Sequence, residues 1–209
     1  MRATRLLAVV LGLTLLGGVS AHAEEGTQAD QELARQIRTA DSRPVEPDKF
    51  QISESMKREV ISSTEVGVYP RRKGVILVTP DRYKNLIPTG HAGIILNSTQ
   101  VVESIDKGVV RGSDDWYRSK KQAYGVTVRS TSGAQDRKAA DWANKQYGKP
   151  YNFNFLDKVT QKKFYCSQLV WSAFKNNFNI DLDTAAWGAA IHPMELVTTN
   201  KTHIVWRKK

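Results

Sequence analysis

The sequence predicts an α+β domain, in which an antiparallel sheet carries helices packed against it. Three observations lead there. Short β-branched and apolar runs recur between residues 74 and 129, the apolar spacing switches to a helical period after Ser132, and Ile204-Val205-Trp206 returns to strand character near the end.

The first strand is Gly74-Val75-Ile76-Leu77-Val78-Thr79, a short β-branched and apolar run that reads as a buried strand. Residues 80–89 form a polar connection. A second strand, Ala92-Gly93-Ile94-Ile95-Leu96, opens directly after His91. Asn97-Ser98-Thr99 turns the chain into a third, Gln100-Val101-Val102-Glu103-Ser104, so the two read as an antiparallel hairpin. Val109-Val110-Arg111 is a fourth short strand. Ser113 to Ser119 reads as a short helix with Asp114 and Asp115 in its first turn, where the helix dipole favours negative charge. Val126-Thr127-Val128-Arg129 is the next strand.

The period then changes. Ser132 and Gln135 have the spacing of a capping box, Ala139, Trp142, Ala143 and Tyr147 follow at helical intervals, and Gly148 with Pro150 ends the helix. Cys166 to Asn177 is a second helix, with Leu169, Val170, Ala173 and Phe174 on its apolar face. These elements place the folded body at residues 68–209.

Two segments precede it. Residues 1–23 combine Arg2 and Arg5, an apolar stretch from Leu6 to Leu16, and Ala21-His22-Ala23, the three-part pattern of a secretory signal peptide cleaved after Ala23. The apolar stretch is shorter than the ~20 residues that span a bilayer. The mature protein is therefore expected in the periplasm or outside the cell. Residues 24–67 read as a helical extension or linker: Leu33 and Ile37 share one helix face, Pro44 and Pro47 break it, and Phe50 to Ser62 has the spacing of another amphipathic helix.

Formal net charge is +10, of which Arg2 and Arg5 account for two. Such a surface attracts polyanions. Export turns the expectation from nucleic acid to anionic wall polymers or a membrane surface, or to a solvated surface with no dedicated partner.

Export also makes the single cysteine, Cys166, informative. It has no intrachain disulfide partner, so it is buried and inert, paired with another molecule, or reactive. Its position at a predicted helix start favours reactivity. Free N–H groups and the positive dipole end there stabilise a thiolate and can receive an oxyanion. A nucleophilic thiol needs a base. His91 is the candidate, flanked by small residues in Gly90-His91-Ala92 and titrating near neutrality. His192 precedes Pro193 in a loop, and His203 lies near the C-terminus. Glu103, on the strand laid beside His91, is the candidate third group that orients the imidazole. No His/Cys/carboxylate cluster has metal-ligand spacing and no phosphate-cradling Gly-rich loop is present, so neither metal nor cofactor is expected.

Gly90-His91-Ala92-Gly93-Ile94, Val102-Glu103-Ser104, Gly148-Lys149-Pro150-Tyr151-Asn152-Phe153 and Phe164-Tyr165-Cys166-Ser167-Gln168-Leu169-Val170-Trp171, in that order, resemble the YiiX/YebB-like branch of the NlpC/P60 superfamily. The resemblance covers roughly residues 70 to 200. It implies a circularly permuted papain-like fold in which the base histidine precedes the nucleophile, as His91 precedes Cys166. It implies a Cys166–His91–Glu103 triad, with Tyr165 helping to bind or polarise substrate near the oxyanion. Gly74 is followed by Val75, where members often carry Gly-Asp.

The implied chemistry is cysteine-dependent hydrolysis of an amide, on cell-wall peptides or N-acyl substrates. A lipid thioesterase, acyltransferase or lipase-like activity is the alternative within catalysis. A non-catalytic wall- or lipid-binding module is the alternative outside it.

Overall fold

The computed structural model describes residues 27–48, 50, 64–81 and 90–209. The expected signal segment, most of the expected Phe50–Ser62 helix and most of the 80–89 connection lie outside the described residues. In chain order the elements are α1 Gln28–Ser42, β1 Glu65–Gly67, β2 Ile76–Thr79, β3 His91–Asn97, β4 Gln100–Ile105, β5 Gly108–Ser113, α2 Trp116–Ser119, β6 Ala123–Val128, α3 Gly133–Asn144, α4 Cys166–Phe178, α5 Glu195–Thr198 and β7 Thr202–Lys208.

All seven strands join one antiparallel sheet in the order β1-β7-β6-β2-β3-β4-β5. The β-branched and apolar run forms β2 at the centre of this order. Alternation sends Ile76 and Val78 into the main core and Val75 and Leu77 into a smaller cluster with Ile95, Val101, Trp116 and Val205. In the main core the sheet meets α3 and α4 through Ala139, Ala140, Ala143, Leu169, Val170, Ala173 and Phe174. Each large aliphatic side chain removed from water there contributes about 1.5–3 kcal/mol.

Both main helices begin as their residues dictate. Ser132 Oγ accepts the Gln135 N–H at 3.3 Å and Gln135 Oε1 accepts the Ser132 N–H at 2.8 Å, the reciprocal cap expected for α3. Every residue of α4 from Cys166 to Phe174 is buried, so this helix is enclosed all round for its first two turns instead of along one face. Asn179, in the left-handed conformation at φ 56°, ends it.

Three features depart from the sequence reading. Glu65–Gly67 forms an edge strand on β7 within the segment read as extension. Glu195–Thr198 forms an extra helical turn. The acidic pair does not enter α2, which starts at Trp116. Asp114 instead accepts the Tyr69 hydroxyl at 2.5 Å and lies 3.6 Å from Arg71, so these partners, not a helix dipole, receive its charge.

The extension is tied to the body by guanidinium groups. Arg43 donates to the carbonyls of Val197, Thr199 and Thr202, and Arg207 donates back to those of Ala40, Asp41 and Arg43, closing the C-terminal end of α1. Arg72 bridges Asp48 at 2.7 Å and Asp136 at 2.9 Å, with both carboxylates almost wholly buried. Removing one member of such a set leaves buried charge uncompensated. Arg72→Ala is therefore expected to lower stability by about 3–5 kcal/mol, read as a fall in the urea midpoint.

Candidate active site

One dipeptide on β4 organises the site from both faces of the sheet. Glu103 and Ser104 are neighbours, so their side chains point to opposite faces. Glu103 stands opposite Gly93 in the β3–β4 register, and His91, two residues from Gly93, shares its face. Glu103 Oε2 and His91 Nε2 lie 2.5 Å apart. On the other face Ser104 Oγ donates to the Phe164 carbonyl at 2.6 Å. That bond holds the chain two residues before Cys166, so the start of α4 is pinned to the strand that carries the histidine's partner.

Cys166 is the first residue of α4, with Tyr165 at the N-cap. Its sulfur hydrogen-bonds the His91 side chain and the backbone N–H groups of Ala92 and Ser167. His91 Nε2 is occupied by Glu103, which leaves Nδ1 for the thiol. Cys166 is 7% exposed and His91 5%.

The electrostatics follow from these contacts. Burial alone pushes the imidazole down. The hydrogen bonds and charges of Cys166 and Glu103 outweigh it, and the His91 pKa rises to about 9. Burial likewise pushes the thiol up, but His91 and the two N–H groups reverse this, so Cys166 titrates below a free cysteine. The pair is thus poised as thiolate and imidazolium.

Several supporting residues were not singled out from sequence. Trp116 stacks on the His91 ring, centroids 5.6 Å apart at 24°. Gly112, across β5, leaves room for the carboxylate: a Cβ there would stand 1.8 Å from Glu103 Oε1. Only the end of a flexible side chain is in the way, so Gly112→Ala is expected to leave the unfolding midpoint nearly unchanged. It should move Glu103 off His91 and lower kcat/KM about tenfold or more, since catalytic groups tolerate only small displacements. Gln168, fully buried, accepts the Tyr165 N–H at 3.1 Å and the Asn152 amide at 3.0 Å through Oε1. Its Nε2 donates to the carbonyls of Lys158 and Thr160 at 3.2 and 3.1 Å. It thereby fixes the connection before α4 to the helix. Trp116 and Gly112 carry no signal of this role in sequence, and Gln168 appears there only as one member of the Phe164–Trp171 motif; the partners that define all three come from the fold.

The Tyr165 hydroxyl accepts the Ile191 N–H at 3.1 Å, and burial pushes its pKa up to about 12, keeping its proton. The other two described histidines are engaged elsewhere. His192 stacks on Trp187 at 4.2 Å, accepts the Met194 N–H at Nδ1, and is driven to about 3 by burial. His203 contacts the Thr127 hydroxyl. Among the described residues no group of three or more His, Cys, Asp or Glu side chains is placed to hold a metal ion.

Comparison with known proteins follows the same lines. Residues 78–196 match the family described as permuted papain-like amidase enzyme, YaeF/YiiX, C92 family. The uncharacterized protein YycO of Bacillus subtilis (strain 168) is 32% identical over 133 residues, which is 62% of this chain and 54% of that protein. The chain thus spans about half the length of this relative. The crystal structure of metalloprotein yiiX from Escherichia coli O157:H7 superposes with a TM-score of 0.51 at 17% identity, covering 65% of this chain and 96% of that one, a likeness of fold.

Proposed function

The chain belongs to the permuted papain-like amidase family, a family of cysteine amidases and peptidases, and from that premise we propose that Cys166, His91 and Glu103 hydrolyse an amide bond through a thioester. The observation that carries this reading is the sulfur's set of contacts: an imidazole held by a carboxylate on one side and two backbone N–H groups on the other.

The Cys166 thiolate adds to the amide carbonyl carbon, and the carbonyl π electrons move to oxygen. The Cys166 N–H at the helix start, with the Tyr165 O–H, donates to that oxyanion. The oxyanion re-forms the carbonyl as the C–N bond breaks, and the His91 imidazolium gives its proton to the departing amine. Neutral His91 then takes a proton from water, the hydroxide adds to the thioester, and collapse expels the thiolate with the free acid. Glu103 keeps the imidazole oriented and supports its charged form.

The substrate is a cell-wall peptide or an N-acyl amide, met outside the cytoplasm after loss of residues 1–23. Mass spectrometry of muropeptide digests and of dispersed N-acyl amides, each incubated with wild type and with Cys166→Ala, tests this. New amine and acid products found only with wild type are expected. Products from acyl esters but not from amides would replace the reading with a lipid acyl enzyme.

A further inference from the structure

The connection that leads into the nucleophile carries side chains that the mechanism does not use. Phe153, Leu156 and Val159 are 70%, 71% and 72% exposed, three large apolar groups at three-residue intervals on one short segment. Monomeric proteins scatter such residues singly; a cluster this open marks a contact surface.

The segment beneath them is fixed. Asn152 is fully buried and donates to the Asp157 carbonyl at 2.9 Å, Phe155 packs edge-on to Tyr165 at 5.3 Å, and Lys158 pairs with Asp183. The apolar tips are therefore held outward by a built loop. Besides Lys158, which Asp183 neutralises, residues 151–163 hold Lys162 and Lys163 against one acidic residue, Asp157, in a chain whose net charge of +10 falls by two to +8 when Arg2 and Arg5 leave with residues 1–23. Exposed apolar side chains with Lys162 and Lys163 on the same segment match the chemistry of an anionic lipid surface, where the apolar groups enter the acyl boundary and the cations meet the headgroups.

We propose that the 151–163 loop docks the protein onto an anionic lipid bilayer through Phe153, Leu156 and Val159. The docked loop adjoins the site, since Tyr151 senses the charge of Cys166 and Phe155 touches Tyr165. Resting on the amidase reading above, this directs the enzyme to amphiphilic acyl amides held at the membrane.

The test reads binding without turnover. In the full chain carrying Cys166→Ala, Leu156→Cys provides a single thiol for an environment-sensitive dye. Vesicles of phosphatidylglycerol mixed with phosphatidylcholine should blue-shift its emission, pure phosphatidylcholine should require roughly tenfold more lipid, and Phe153→Ser with Val159→Ser should abolish the shift. A dye at the exposed α3 position Ala134→Cys should not respond. No shift on any vesicle, equal response to both lipids, an equal shift at position 134, or a shift produced by soluble wall fragments instead would each overturn the proposal. Because the assay uses an inactive variant, an enzyme that cuts no amide could still pass it, and an active amidase could fail it.

Discussion

Cys166→Ala is expected to abolish amide hydrolysis, lowering kcat/KM by roughly 10,000-fold or more, with His91→Ala close behind. The two losses should not add, because a thiolate without its imidazolium and an imidazolium without its thiolate are equally unable to open the amide. Cys166→Ser should fail as well: a hydroxyl cannot accept the charge that His91, Ala92 and Ser167 hold on sulfur. The folded state should survive. The thiolate is one cause of the raised His91 pKa, so its removal lets the imidazole shed its proton instead of stranding a buried cation. Iodoacetamide at pH 6 gives an independent reading. Wild type should alkylate faster than free cysteine, and His91→Ala should lose that advantage. A wild-type rate no faster than free cysteine would remove the ion pair from the account and leave a binding module.

The sheet was legible where burial is two-sided or alternating. The runs around Ile76 and Ile94 are short, β-branched and apolar, the run around Val102 follows the Asn97-Ser98-Thr99 turn, and each forms a strand close to its expected bounds. Where an element depends on a partner far along the chain, local pattern says little. Glu65-Val66-Gly67 has no strand signature; it is extended because Arg207 and Trp206 of β7 offer it backbone partners. The turn at Glu195–Thr198 follows Pro193 and is held by the buried Glu195 carboxylate, which accepts the His192 N–H at 2.7 Å. Asp114 and Asp115 had helix-start chemistry, and a tyrosine 45 positions earlier redirected the first of them.

Within the site, legibility followed sequence distance in the same way. His91 and Glu103 lie on adjacent strands of one hairpin, so a register two residues apart brings them within reach. Pattern alone nominates Cys166 and, by the chemistry a thiol needs, His91 as its base, and the family resemblance supports the pair; the contact itself belongs to the fold, because the sulfur arrives on a helix packed against the sheet. Trp116 and Gly112 were invisible for a further reason. One supplies a ring face and the other an absence of side chain, and neither bears a reactive group.

Glu103→Gln should lower kcat/KM by roughly 100- to 10,000-fold and also change the shape of its pH profile. In wild type the acid limb reports protonation of the thiolate and the alkaline limb reports loss of the imidazolium proton, at about pH 9. The carboxylate helps hold that proton in place. Glutamine keeps the volume beside Gly112 and can still accept from Nε2, but it carries no charge, so the His91 pKa falls and the alkaline limb moves to lower pH. The sign follows from linkage: a raised folded pKa stabilises the protonated form below it, and removing the cause shortens that range from the alkaline side. A purely structural role predicts otherwise. If Glu103 only filled space, the glutamine variant would keep both limbs in place, and activity would fall, if at all, in step with stability. A fixed alkaline limb with near-wild-type turnover would therefore reassign the carboxylate to packing and leave His91 oriented by Trp116.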